Sequence, residues 1–157
     1  MDYLLPKGAK KYCNDVVIPV NIEERKARIP GTGDESIAMT MAEDIGKAVV
    51  WLINDPRPWP KYTYIAGSVN TWNELIKLGE EATGDKFAVE YVSEEELHRK
   101  HKEALATGDA LKAFYAEVDI WYGLNGSMAL PENEDTLLFS GIQFIRAKDL
   151  INQSYGK

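Results

Sequence analysis

Of the commonest nucleophiles and soft metal ligands, the sequence of 157 residues offers one cysteine, Cys13, and two histidines, His98 and His101. A lone cysteine excludes an internal disulfide and any cysteine-rich zinc site, which fits a reducing compartment, and the cytoplasm is the expected location. Apolar runs such as Ala48 to Ile53 fall far short of the ~20 residues that span a bilayer, and no basic stretch followed by an apolar one marks a leader. No internal repeat is present. The dinucleotide fingerprint G-x-G-x-x-G is missing, so nothing in the sequence forms the turn that holds a pyrophosphate. Ser-His-Asp and Cys-His sets in recognisable context are missing too, which argues against nucleophilic catalysis. Basic residues are the scarcer charge, 18 against 25 acidic, for a net charge of −7. That balance disfavours nucleic acid and anionic membrane as partners, and a small neutral or cationic ligand is easier to accommodate.

What is present suits a packed domain: 45% hydrophobic and 27% charged residues in a length expected to form a single domain over 1–157. Turn signals divide the chain into helices and short strand-like pieces, an α+β pattern with too few strands for a complete doubly wound sheet. Three helices are expected to start on a Ser or Thr followed three residues on by Glu: Thr40/Glu43, Thr71/Glu74 and Ser93/Glu96. The first buries a face of Ile45, Ala48, Val49 and Leu52 and stops before Asp55-Pro-Arg-Pro-Trp-Pro60. The second runs from Trp72 to Thr83 and ends at Gly84, and the third runs from Glu94 to Ala106. A fourth, from Asp109 to Tyr122, leads into a loop with Gly126 and Pro131, and a last helix spans Ala147 to Tyr155. Strands are expected at Asp15–Val20, Lys61–Ala66 and Phe87–Val92, and a hairpin around Gly31-Thr-Gly33 within Ala27–Thr40.

The candidate chemistry concentrates on two helices. His98 and His101 share a face of the third helix, but without a third ligand the expectation is no metal. Leu97, His101 and Leu105 follow i, i+4, i+8, so His101 sits on an apolar stripe, where an imidazole can move a proton at neutral pH or simply satisfy a core-edge hydrogen bond. On the fourth helix Leu111, Phe114, Tyr115, Val118, Trp121 and Tyr122 recur at helical spacing with Asp119 at the edge. Such a wall is either core or one side of a pocket for an aromatic ligand, with the Tyr hydroxyls and the carboxylate as acid, base or hydrogen-bond groups. Trp59, Tyr62 and Tyr64 make a second aromatic cluster. The expected catalytic residues are Asp119, His101, Tyr115 and Tyr122. Phe114, Trp121, Trp59 and Tyr64 are expected to bind substrate. Tyr3-Leu-Leu-Pro-Lys7 has Y-x-x-x-K spacing, but Pro6 breaks the helix that this pair needs.

Read in order, Met1-Asp-Tyr-Leu-Leu, Ile29-Pro-Gly-Thr-Gly, Glu43-Asp-Ile-Gly-Lys47, Asp55-Pro-Arg-Pro-Trp-Pro60 and Thr71-Trp-Asn-Glu-Leu75 resemble the C-terminal part of NmrA-like and isoflavone-reductase-like proteins, atypical short-chain dehydrogenases of fungi and plants. The resemblance implies a small helical lobe with a few short strands that covers a nicotinamide and shapes a substrate pocket, the aromatic helix and the Ile29–Met39 segment facing the ligand. Met39 joins the expected substrate contacts on that ground. The family's N-terminal Rossmann domain, with its glycine fingerprint and catalytic lysine, has no counterpart here, so the chain is expected to be truncated at its N-terminus.

With no turn to hold a dinucleotide, the expected function is a cofactor-independent isomerase, cyclase or dehydratase acting on a hydrophobic or aromatic natural product of secondary metabolism, with no cofactor. The alternatives are the substrate-binding fragment of an NAD(P)H-dependent oxidoreductase and a non-catalytic regulatory binding protein. The apolar surface that a Rossmann domain would cover is expected to make the chain a homodimer or larger oligomer.

Overall fold

Described here in a computed structural model are residues 1–12, 18–123, 129, 139 and 141–156. Among them the strands are β1 (Val20–Asn21), β2 (Lys26–Pro30), β3 (Ser36–Met39), β4 (Ser68–Thr71) and β5 (Ala88–Val92). The helices are α1 (Ala42–Asn54), α2 (Trp72–Thr83), α3 (Glu94–Ala106), α4 (Ala110–Gly123) and α5 (Ala147–Tyr155). The α+β expectation is met. Cys13, the first half of the Asp15–Val20 segment and the loop with Gly126 and Pro131 lie outside the described residues.

Two sheets replace the expected hairpin. β2 pairs antiparallel with β1 and parallel with β5, while β3 pairs antiparallel with β4, so the strands flanking Gly31-Thr-Gly33 enter different sheets. Lys61–Ala66 forms no strand, and the partner of β3 begins at Ser68, beyond the prolines. β2 alternates: Ala27 and Ile29 point into a core with Val20, Trp72, Leu75 and Ile151, while Lys26 and Arg28 face the other way. On that outer face α4 packs against β2 and pairs with α3, Leu97 and Ala104 being buried at 1% exposure each.

The helix starts show which caps are local. Thr71 and Glu74 form the reciprocal box that opens α2, and the Ser93 side chain accepts from the Glu96 N–H. α1 differs from expectation: Met41 precedes it without a side-chain cap, and the Thr40 hydroxyl donates to the Ile65 carbonyl. Its first-turn donor, the Ala42 N–H, instead reaches the buried carboxylate of Asp2, which also accepts from the Tyr12 N–H at 2.9 Å. Burial by itself would raise the pKa of Asp2, but these accepted bonds and the amino terminus outweigh it and hold the carboxyl below its ordinary value.

α1 does not bury the expected face. Ala48 and Asp44 are enclosed, whereas Ile45 and Val49 stay exposed together with Val50 and Ile53. Asp44, fully buried, accepts from the Ile145 N–H at 2.7 Å and pairs with Lys47, fastening α1 to the segment that leads into α5. At the far end of α5 the Tyr155 hydroxyl donates to the Leu4 carbonyl, joining the two ends of the described chain.

Candidate functional site

The Gly31-Thr-Gly33 turn, the N-terminus of α2 and the C-terminus of α4 converge. Both ends of this contact require glycine. A Cβ on Gly31, whose φ is +77°, would lie 2.5 Å from the Gly123 carbonyl oxygen, and one on Gly123 would lie 2.7 Å from the Pro30 carbonyl carbon. Trp72, in the core, donates its indole N–H to the Tyr122 carbonyl at 3.0 Å, and its ring meets that of Tyr122 edge-on. Burial, with the Asp119 charge adding to it, raises the Tyr122 phenol above its ordinary pKa. Asn73 receives the Tyr91 hydroxyl and donates to Asp34 and to the Thr32 carbonyl, holding the turn against α2.

That turn does not fit a dinucleotide. It joins strand to strand, and the Thr32 and Gly33 N–H groups are already occupied by the Glu35 carboxylate at 3.1 and 2.8 Å. No pyrophosphate cradle is left there.

The aromatic helix turns outward. It packs through Ala113, Ala116, Ile120 and Gly123, leaving Phe114 52%, Trp121 47% and Tyr115 41% exposed. On the flank facing α3 a cleft of about 500 Å³ opens. Its sides are two rows at i, i+3, i+7, Leu97, Lys100 and Ala104 on α3 and Lys112, Tyr115 and Asp119 on α4, and Arg28 of β2 adds to the lining. The Arg28 guanidinium donates to Asp119 at 2.8 Å, so the expected acid or base faces a cation across the cleft and is committed to an ion pair.

The remaining candidates disperse. His101 is half-buried on α3 and is not among the lining residues of the cleft, and His98 is exposed beside Glu94. Leu105, one step along the expected apolar stripe, is exposed. Met39 is 3% exposed and belongs to the core. Trp59 and Tyr64 stand exposed on the proline-rich segment, where Tyr62 and Tyr64 stack. A larger cavity, about 860 Å³, lies between α1 and 141–143, lined by Trp51, Arg57, Lys47 and Gln143 among others. Sequence reasoning missed Arg28, Lys100 and Lys112; the alternation of β2 and the i, i+3, i+7 spacing of Lys112, Tyr115 and Asp119 were the available signals. Among the described residues no cluster of three His, Cys, Asp or Glu could hold a metal, and no helix is long and apolar enough to cross a membrane.

No family model matches the sequence. Individual relatives do. The chain is 35% identical over 115 residues to oxidoreductase swnR of Arthroderma benhamiae, 71% of this chain and 34% of that protein. It is 27% identical over 155 residues to oxidoreductase swnR of Metarhizium robertsii, 94% of this chain and 49% of that protein. A crystal structure of isoflavone reductase superposes with a TM-score of 0.67 at 23% identity, over 82% of this chain and 43% of that one. The expectation of a cofactor-independent isomerase, cyclase or dehydratase is overturned by these relatives, which are oxidoreductases; they back the alternative, a fragment of such an oxidoreductase, better. The chain spans less than half the length of the curated relatives it matches. It is homologous to the oxidoreductases of the isoflavone-reductase-like, NmrA-like family, and its fold is that of their C-terminal lobe.

Proposed function

We propose that this chain is the substrate-side lobe of an NAD(P)H-dependent oxidoreductase acting on an aromatic or largely apolar small molecule. The observation that carries this reading is the similarity, over most of the chain, to a part of proteins that are oxidoreductases. The open aromatic edge of α4 supports it: Phe114 and Trp121 stand two turns apart on one side of a helix whose end is fixed by Trp72 and the Gly31–Gly33 turn. Flat rings held on a rigid element recognise a planar substrate with little loss of side-chain entropy. The nucleotide is assigned to sequence that the relatives have and this chain does not span, because the glycine turn here is filled by Glu35. In this reading the lobe binds and orients the substrate and excludes water from it.

A chimera tests the proposal: this chain joined to the preceding part of the Arthroderma benhamiae relative, assayed for NADPH oxidation with isoflavone-type substrates. Turnover by the chimera, absent from either half alone and with KM raised by Trp121→Ala, is the expected result. Saturable NADPH binding by the 157-residue chain alone would overturn it.

A further inference from the structure

We infer that the cleft between α3 and α4 is a binding site for a small carboxylate carried on an aromatic or apolar body. It stands beside the oxidoreductase reading and does not depend on it.

Five charged side chains line the cleft: Arg28, Lys100, Lys112, Glu103 and Asp119. Two are neutralised along α3 itself, Lys100 by Glu96 and Glu103 by Arg99. That leaves two cations, Arg28 and Lys112, against one anion. Arg28 gives Asp119 a single N–H at 2.8 Å, and the rest of its five-donor fork has no protein partner among the described residues. Lys112 forms no ion pair among the described residues, and the Tyr115 hydroxyl makes no hydrogen bond there. The unspent hydrogen-bonding capacity is therefore cationic and phenolic, the combination that receives a carboxylate. Asp119 serves as a positioning residue, holding the guanidinium from one side.

The rest of the lining is apolar. Leu97, Ala104, Ala116 and Val118 line it together with Tyr115, and the volume of about 500 Å³ falls in the range of small-molecule sites. This local excess of cation arises in a protein of net charge −7, so the preference for neutral or cationic ligands expected from overall charge does not hold at this point.

The test uses the 157-residue chain without nucleotide and three probes: 3-phenylpropionate, its neutral counterpart 3-phenylpropanol, and inorganic phosphate. Titrations are followed by amide chemical shifts. The carboxylate is expected to saturate with shifts centred on 97–104 and 112–119, and the alcohol and phosphate to bind about tenfold more weakly or worse. Lys112→Gln, at an exposed position, is expected to lower the affinity for the carboxylate about tenfold with an unchanged Tm. Arg28→Met, which keeps the apolar stem, should lower that affinity as well. The proposal is overturned if phenylpropionate does not bind, if its shifts map elsewhere, if the alcohol or phosphate binds equally well, or if Lys112→Gln leaves its affinity unchanged.

Discussion

Replacing Asp44 by alanine removes an acceptor that serves two elements at once. The carboxylate is wholly buried and receives the Ile145 N–H at 2.7 Å and the Lys47 ammonium at 2.6 Å. Lys47 is about half exposed, at 47%, so water replaces most of what it loses and its share is the smaller one. The Ile145 amide is half-buried and would be left without a partner, at a cost of about 1–3 kcal/mol. Asp44→Ala should therefore destabilise by about 1–3 kcal/mol, which at a urea m-value of about 2 kcal/mol/M lowers the midpoint by ~0.5–1.5 M. Lys47→Ala should move it by less than half as much. Asp44→Asn, which keeps one acceptor, should fall between them. Equilibrium urea unfolding of the three variants decides the matter. Equal losses for Asp44→Ala and Lys47→Ala would show that the ion pair, not the anchored amide, is what Asp44 contributes, and a midpoint unchanged by Asp44→Ala would refute the reasoning altogether.

Gly123→Ala forces apart α4 and the end of β2, with an expected loss of about 1–3 kcal/mol in thermal or urea unfolding; a neutral result would mean that the contact is loose. Thr71→Ala should cost about 1 kcal/mol through its lost cap, whereas Thr40→Ala, whose hydroxyl caps no helix, should cost clearly less; equal losses would refute the assignment of the α1 cap to Asp2. Burial, and then the charge of Glu23, push the Tyr155 phenol up to about 12, so the neutral form is favoured in the folded chain. Its contribution is complete below the unfolded value near ~10 and is lost as pH rises toward the folded one; Tyr155→Phe should flatten that alkaline limb in a Tm-against-pH series, and an unchanged limb would count against it.

The parts of the fold legible in the sequence are those with local causes. α2 and α3 begin where their caps put them, because the Thr71–Glu74 box and the Ser93 cap act within a turn of the residues they control, as Gly84 does at the end of α2; α5, without a side-chain cap, follows its apolar periodicity. The hairpin around Gly31–Gly33 was not legible: two glycines specify a bend but not what the flanking strands pair with, and β2 finds β5 far along the chain. The start of α1 failed for the same reason, its capping carboxylate standing at Asp2. In the candidate site the aromatic row of α4 was visible, but not the side on which it would be covered. Small residues, Ala113, Ala116 and Gly123, set the contact and turned the rings outward. Arg28 escaped notice because a charge within a short strand gains meaning only once a helix is laid across it.

The hydrogen bond from Tyr155 to the Leu4 carbonyl at 3.0 Å means that the chain leaves the lobe beside the point where it enters. A unit whose entry and exit adjoin can be hung from a larger body by one side, or reconnected, without stretching anything inside it. A circular permutant that bridges the old ends with a short flexible linker and opens at Gly108–Asp109, between α3 and α4, should keep its sheets and core, with the two helices held together by their packing alone.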